Sequence, residues 1–178
     1  MSKGLKKFGL KRAIKRNLAL HKERSIQGFS ATKRIAVLSD DLVKHKSAIE
    51  HLKKKCDSHQ ITLLLIAYNN SKETIKGYPV DFEIGEKDFD FWGNEKEESL
   101  KKISETSYDY LFCLNSSPIL PFESILAKSK AKCRVGHSGS LSFMDNRLLD
   151  LALNPIKSND ANGLVQEFWN TITMLKRK

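Results

Sequence analysis

The sequence predicts an α/β fold: a mostly parallel sheet with helices on both faces, preceded by a basic N-terminal helix. Three observations predict it. Short β-rich apolar runs alternate with helix-length amphipathic stretches. One run, Ile61 to Ala67, is apolar without a break, as in a strand buried on both faces of a parallel sheet. The charge excess lies entirely ahead of the first run. Residues 1–34 hold eleven Lys or Arg against one acid, Glu23, while the other 144 residues balance at twenty of each sign.

Taken in order, residues 4–23 read as a helix. On a helical wheel Leu10, Ala13, Ile14, Leu18 and Leu20 share one side, with Lys7, Lys11, Arg12, Lys15, Arg16 and Lys22 opposite. Ser25 to Thr32, with Gly28 and Ser30, reads as a hinge. Residues 1–32 are thus expected to form an arm and linker able to detach from an α/β domain spanning 33–178.

The domain opens with the strand Arg34 to Leu38. Ser39-Asp40-Asp41 then suits the N-cap of a helix reaching about Lys55, with Leu42, Ile49 and Leu52 inward. After Ile61 to Ala67, the alternation Val80 to Ile84 suggests a short strand, and Phe89, Phe91 and Trp92 form an aromatic knot. A charged helix over Glu95 to Thr106 follows, then a strand over Tyr108 to Leu114 and a helix ending near Lys130. Lys132 to Val135 and Arg147 to Leu153 read as strands, broken by Asn154-Pro155, and Asn159 to Lys176 reads as a closing helix. Right-handed crossovers between such strands give a single Rossmann-like domain.

Length and composition exclude several classes. The 178 residues, 40% hydrophobic and 29% charged, suit one folded domain. Cys56, Cys113 and Cys133 form no CxxC pair and read as reduced core residues, which favours a cytoplasmic protein. The longest apolar run cannot span a bilayer, so no transmembrane segment is expected. The cationic N-terminus has no secretory apolar region, and lysine-rich, serine-poor composition departs from a mitochondrial presequence.

Chemistry in such sheets gathers beyond the carboxyl ends of the strands. Three segments belong there: Ser39-Asp40-Asp41, Asn115-Ser116-Ser117 and Gly136-His137-Ser138-Gly139-Ser140. Backbone N–H groups of the last could nest a phosphate, with His137 as a titratable donor. An ordinary strand-end turn satisfied by its serines explains the same residues. Ser39, Asn115, Ser116, Gly136, His137, Ser138, Gly139 and Ser140 form the candidate anion or small-ligand set. Enzyme signatures are lacking: there is no GxGxxG, no GxxxxGK[ST] and no HExxH, and Gly136 to Ser140 misses GxSxG at its last position. No catalytic residue, cofactor or metal site is expected. Asp40 and Asp41 read as helix caps before they read as an acid/base pair.

The arm carries the strongest functional signal. Lys3, Lys6, Lys7, Lys11, Arg12, Lys15, Arg16, Lys22 and Arg24 are the candidate phosphate-binding residues. RNA or the ribosome, an anionic membrane surface and a partner's groove are the open targets; packing of the stripe on the domain, with the charges serving solubility, is the bland alternative. Phe89, Phe91 and Trp92 read as core or the cover over a sheet edge before they read as a stacking platform for bases or a partner surface. The leading expectation is a non-enzymatic cytoplasmic RNA- or ribosome-associated protein. A ligand-binding α/β domain and a membrane- or complex-associated scaffold are the alternatives.

Lys87-Asp-Phe-Asp-Phe-Trp-Gly93, Tyr108-Asp-Tyr-Leu-Phe112, Ala127-Lys-Ser-Lys-Ala-Lys-Cys-Arg-Val-Gly136 and Leu149-Asp-Leu-Ala-Leu-Asn-Pro155 resemble an uncharacterised domain family of Bacteroidota bacteria whose members open with a basic helix. That resemblance implies bacterial origin and a Rossmann-like domain, and supplies no catalytic residues. Tyr108 to Gly139 is also similar to part of the N-terminal half of heptosyltransferase-type glycosyltransferases, which need two such domains; one alone implies binding rather than catalysis.

Overall fold

In the computed structural model, residues 3–20, 24, 26, 28–71, 77–142, 146–153 and 160–175 are described. The order is α1 (Lys3–Ala19), β1 (Arg34–Ser39), α2 (Leu42–Ser58), β2 (Thr62–Tyr68), β3 (Phe82–Ile84), α3 (Glu98–Glu105), β4 (Tyr110–Leu114), α4 (Leu120–Lys128), β5 (Cys133–His137), β6 (Leu151–Leu153) and α5 (Ala161–Met174). Six strands form one sheet in the order β3-β2-β1-β4-β5-β6, every pair parallel. The strand order reverses between β1 and β4, the place where such sheets build sites.

Period-two alternation sends side chains to two cores. Ile35, Val37, Tyr110 and Phe112 meet α2 and α5 on one face, where Phe112 stacks on Phe168 at 4.4 Å. Ala36, Leu38, Leu111 and Cys113 face the other way, toward α1, α3 and α4. The expected fold and its inward residues Leu42, Ile49 and Leu52 are all present. The three cysteines are buried thiols; burial pushes Cys56 and Cys133 up to about 12 and Cys113 higher still.

The largest departure concerns the arm. Leu10, Ile14 and Leu18 are buried in the second core, Ala13 is buried beside Gly93, and α1 lies along α4. It is not a projecting arm but one of three helices covering that face. Burying each of the three larger side chains contributes about 1.5–3 kcal/mol. Repulsion along the rows Lys7–Lys11–Lys15 and Arg12–Arg16 costs only about 0.2–0.5 kcal/mol per pair, so packing wins. Leu20, placed on the apolar side by the wheel, is exposed because the helix ends at Ala19; residues 21–23 lie outside the described set.

Smaller departures have local causes. α3 starts at Glu98 rather than Glu95, because Glu95 is held in an antiparallel bridge to Phe89. β6 is shorter than the apolar run, because Asn146–Leu148 forms a 3-10 turn and Asp150 bonds the backbone and side chain of Arg134. β2 is fully buried only at Leu65, Ile66 and Ala67, since its other flank carries the short β3. No helix among the described residues is long and apolar enough to cross a membrane.

Candidate nucleic-acid interface

At the β1/β4 reversal the expected ligand residues are bound to one another. Ser39 ends β1, and its buried Oγ lies 3.0 Å from Nδ1 of His45. Nε2 of His45 is 3.3 Å from Ser116 Oγ, which also accepts from Lys44 Nζ at 2.9 Å. Asp40 takes the Ser116 N–H at 2.9 Å, tying the end of β1 to the loop after β4. Asp41 caps α2 instead, accepting the Lys44 N–H at 2.9 Å. The two acids therefore work separately. His45 belongs to no sequence motif; its position one turn into α2, under the loop after β4, is a tertiary fact. Its pKa lies below the usual 6.5, chiefly from burial, with Asp40 opposing.

The turn after β5 is similarly self-contained. Gly136 is inside β5, paired with Cys113 and Ala152, and a Cβ there would come within 3.1 Å of the Cys113 Cβ. Ser138 to Ser140 form a 3-10 turn; the Ser138 side chain is outside the described set. Asn115 Nδ2 donates to the carbonyls of Ser117 at 2.7 Å and Ser140 at 3.0 Å, and the Ser140 hydroxyl reaches the His137 carbonyl at 2.7 Å. His137 is half-buried and its ring lies over Gly139. The structure thus links Ser39 to Ser116 through His45, and Asn115 to Ser140 directly, in polar contacts internal to the domain, with Asp40 Oδ1 3.6 Å from His45 Nδ1. No group of three His, Cys, Asp or Glu suited to a metal occurs among the described residues.

The basic set divides. Arg24, expected to bind phosphate, points inward: its guanidinium donates to the carbonyls of Ala131 and Ser129, the latter at 2.7 Å, and lies 3.8 Å from Asp150. Burial, helped by Arg134, draws its pKa down to about 10. Arg134 is fully buried and clasps Asp150 with Nε at 3.0 Å and Nη2 at 2.9 Å, holding that carboxyl below its ordinary range against its own burial. Arg24 is thereby a strap between the segment after α1 and the domain. Lys22 and the Lys3 side chain lie outside the described residues. Lys7, Lys11, Arg12, Lys15 and Arg16 are exposed on the outer side of α1, with Lys6 half-buried, and no acid occurs anywhere in the helix.

Beside this row lies a groove of about 490 Å³, lined by Phe8, Arg12, Arg16, Phe91, Trp92 and Asn94. The aromatic knot is split between two roles. Phe89 is core, whereas Trp92 is 60% exposed and Phe8, from α1, 65% exposed. The loop carrying Trp92 is tightly fastened. Asp90 Oδ1 accepts the N–H groups of Trp92 and Asn94, both at 2.8 Å, and those bonds hold its carboxyl below the usual range against desolvation. Gly93 adopts φ +79°, and a Cβ there would meet Ala13 at 2.8 Å and the Gly9 carbonyl at 2.9 Å. A Cβ on Gly9 would meet the Phe91 carbonyl oxygen at 1.9 Å. Two glycines thus let α1 and the loop touch backbone to backbone. Lys128 of α4 completes the clamp, 2.6 Å from Glu95. Sequence reading found both the basic row and the aromatics but not that they form one wall. Gly9 and Gly93 are the signal that could have joined them.

No curated protein and no solved structure gave a significant match to the chain. A family model described as a family of unknown function, DUF6913, matches residues 6–175, which takes in α1 with the sheet. The chain belongs to that family of unknown function.

Proposed function

We propose that the protein is an RNA- or ribosome-associated binding protein that docks on phosphates through the outer face of α1, with no chemistry of its own. The observation that carries this reading is a helix fixed by its apolar side whose charged residues, on the other side, are all cations. A helix N-terminus favours anions, yet α1 has basic residues there and none of the acids that would offset them. A polyanion relieves that self-repulsion, and each phosphate neutralised releases counterions. Burial of Leu10, Ile14 and Leu18 favours RNA over a lipid surface, because an interfacial helix must give its apolar face to the bilayer. A cytoplasmic location is part of the same proposal, supported by the three buried thiols.

The test is binding of ribosomal RNA across a salt series by the intact chain and by a variant with Lys7, Lys11, Arg12, Lys15 and Arg16 changed to Gln. These side chains are exposed, so the variant keeps the core. About five phosphate contacts predict a log–log salt slope of roughly −3.5 on single strands. The variant should bind at least a hundredfold more weakly, with a flattened slope. Equal binding by the two proteins, or binding indifferent to salt, overturns the proposal.

A further inference from the structure

We infer that the groove between α1 and the Asp90–Asn94 loop is a site for unpaired nucleotides of single-stranded RNA, a base stacking on Trp92 and the flanking phosphates meeting Arg12 and Arg16. This inference rests on the RNA reading above and narrows it.

Three features converge. First, the exposed Trp92 is presented rather than left over. Its loop is held by two N–H bonds to Asp90, by the Gly9–Gly93 contact and by the Lys128–Glu95 pair. A large apolar ring 60% in water on so constrained a loop is organised in advance for a flat partner. Second, the cations belong to the same wall. Arg12 and Arg16 stand one helical turn apart, roughly 5–6 Å at Cβ, and Arg16 Nη2 donates to Asn94 Oδ1 at 3.3 Å, which holds its guanidinium over the groove. Of the nearby carboxylates, Glu95 is paired with Lys128, and Asp90 is an anion whose oxygens are taken up by the N–H groups of Trp92 and Asn94 and by the Asn94 side chain, leaving the two arginines in excess. Third, the opening suits something of nucleotide size, since small-molecule pockets run from roughly 300 to 1,000 Å³ and this one is about 490 Å³.

An aromatic face flanked by arginines selects an anion with a π-surface. In a duplex the base faces are covered by their neighbours, and the A-form major groove is too deep and narrow for side chains to read. Unpaired bases can stack, and stacking on an aromatic ring tolerates any sequence. The site therefore favours loops, bulges or ends over helical RNA.

Trp92 itself reports on the event. The other tryptophan, Trp169, is buried on the opposite face of the sheet against Phe29 and His59, so it supplies a constant background. An oligoribonucleotide of about ten residues, within the range of site sizes known for single-strand grooves, is titrated into the intact chain alone and annealed to its complement. The single strand should quench Trp92 emission and bind at least tenfold more tightly than the duplex. Trp92→Ala should lower single-strand affinity roughly ten- to a hundredfold, the range covered by base–aromatic stacking, with the salt slope unchanged. Arg12→Gln and Arg16→Gln should each reduce that slope by about 0.7. Because all three side chains are exposed, these variants keep the fold. Equal affinity for duplex, or RNA binding that neither quenches Trp92 nor responds to Trp92→Ala, overturns the site while leaving the RNA reading in place. Absence of RNA binding at every salt concentration overturns both. Tight binding of an acidic peptide at Trp92 with RNA excluded assigns the groove to a protein partner and likewise overturns the inference.

Discussion

The carboxyl edge of the sheet and the outer face of α1 are built on opposite principles. At the edge, Ser39, Asp40, His45 and Ser116 hydrogen-bond across the β1/β4 reversal, and Asn115 and Ser140 join the ends of β4 and β5. On α1, cations stand beside one another and an exposed aromatic pair borders a groove. The edge holds elements together, while the cations of the α1 face repel one another and, in the proposed reading, are relieved by a polyanion. The usual location of a site in such sheets is therefore occupied here by internal bonding, and the surface proposed for binding is a helix that precedes the first strand.

The sharpest way to break this contrast is to attack the buried side of α1. Ile14→Ala removes a side chain that is 0% exposed and should cost about 2–5 kcal/mol. The whole domain should unfold at a lower urea midpoint in a single transition. A midpoint unmoved by the substitution would show α1 to be separable after all, and would return the binding face to a flexible arm.

A second measurement separates the edge by its pH response. His45 has a folded pKa below its unfolded value, mainly because it is buried, with Asp40 and Asp41 opposing and Lys44 assisting. The unfolded chain thus takes up the proton first. The stabilisation is complete above about 6.5, the ordinary histidine value, and is lost as pH falls below it. Asp109 and Asp150, whose pKa values lie below the ordinary carboxylate range, keep their contribution until pH falls below about 4. Chemical denaturation between pH 7 and pH 5 should therefore show a decline that His45→Gln flattens. The same slope in both proteins would remove His45 from the account.

The smallest effect expected is that of Ser116→Ala. Ser116 is exposed, and among the described residues its hydroxyl bonds to Lys44 and His45. Its loss should cost no more than about 1 kcal/mol and should leave RNA affinity unchanged to within twofold. A large fall in affinity without a fall in stability would put the binding site back at the sheet edge.

Much of the fold was legible because it is periodic. The alternation of Ile35 to Leu38 and of Tyr110 to Leu114 assigns each residue to one core or the other, and Asp41 announced its own cap. The stripe Leu10, Ala13, Ile14, Leu18 was equally visible, yet the same pattern fits a helix packed on its own domain and one awaiting a partner. Charge tilted the reading toward the second, although the burial of three large aliphatic side chains outweighs the repulsion. Arg24 and Arg134 show the complementary limit. One was counted as a phosphate ligand and the other only as part of a strand, but both converge on Asp150, Arg24 from more than a hundred residues away. Counting charge along the chain does not reveal which cations face inward. Gly136 shows the same limit: the two glycines and two serines of Gly136 to Ser140 suggested a nest or an ordinary strand-end turn, whereas Gly136 lies within β5 and makes room for Cys113 on the neighbouring strand.

The docking of α1 on α4 has a temporal consequence. At synthesis rates of roughly 5–20 residues per second, the basic helix leaves the ribosome on the order of ten seconds before α4 can cover its apolar stripe. Throughout that interval the nascent chain presents a cationic, half-apolar helix within reach of ribosomal RNA, so the polyanion proposed as its target is also its first neighbour. Phosphates there could hold the outer face of α1 while Leu10, Ile14 and Leu18 wait for their partners, which would tie the protein's maturation to the same charges as its binding.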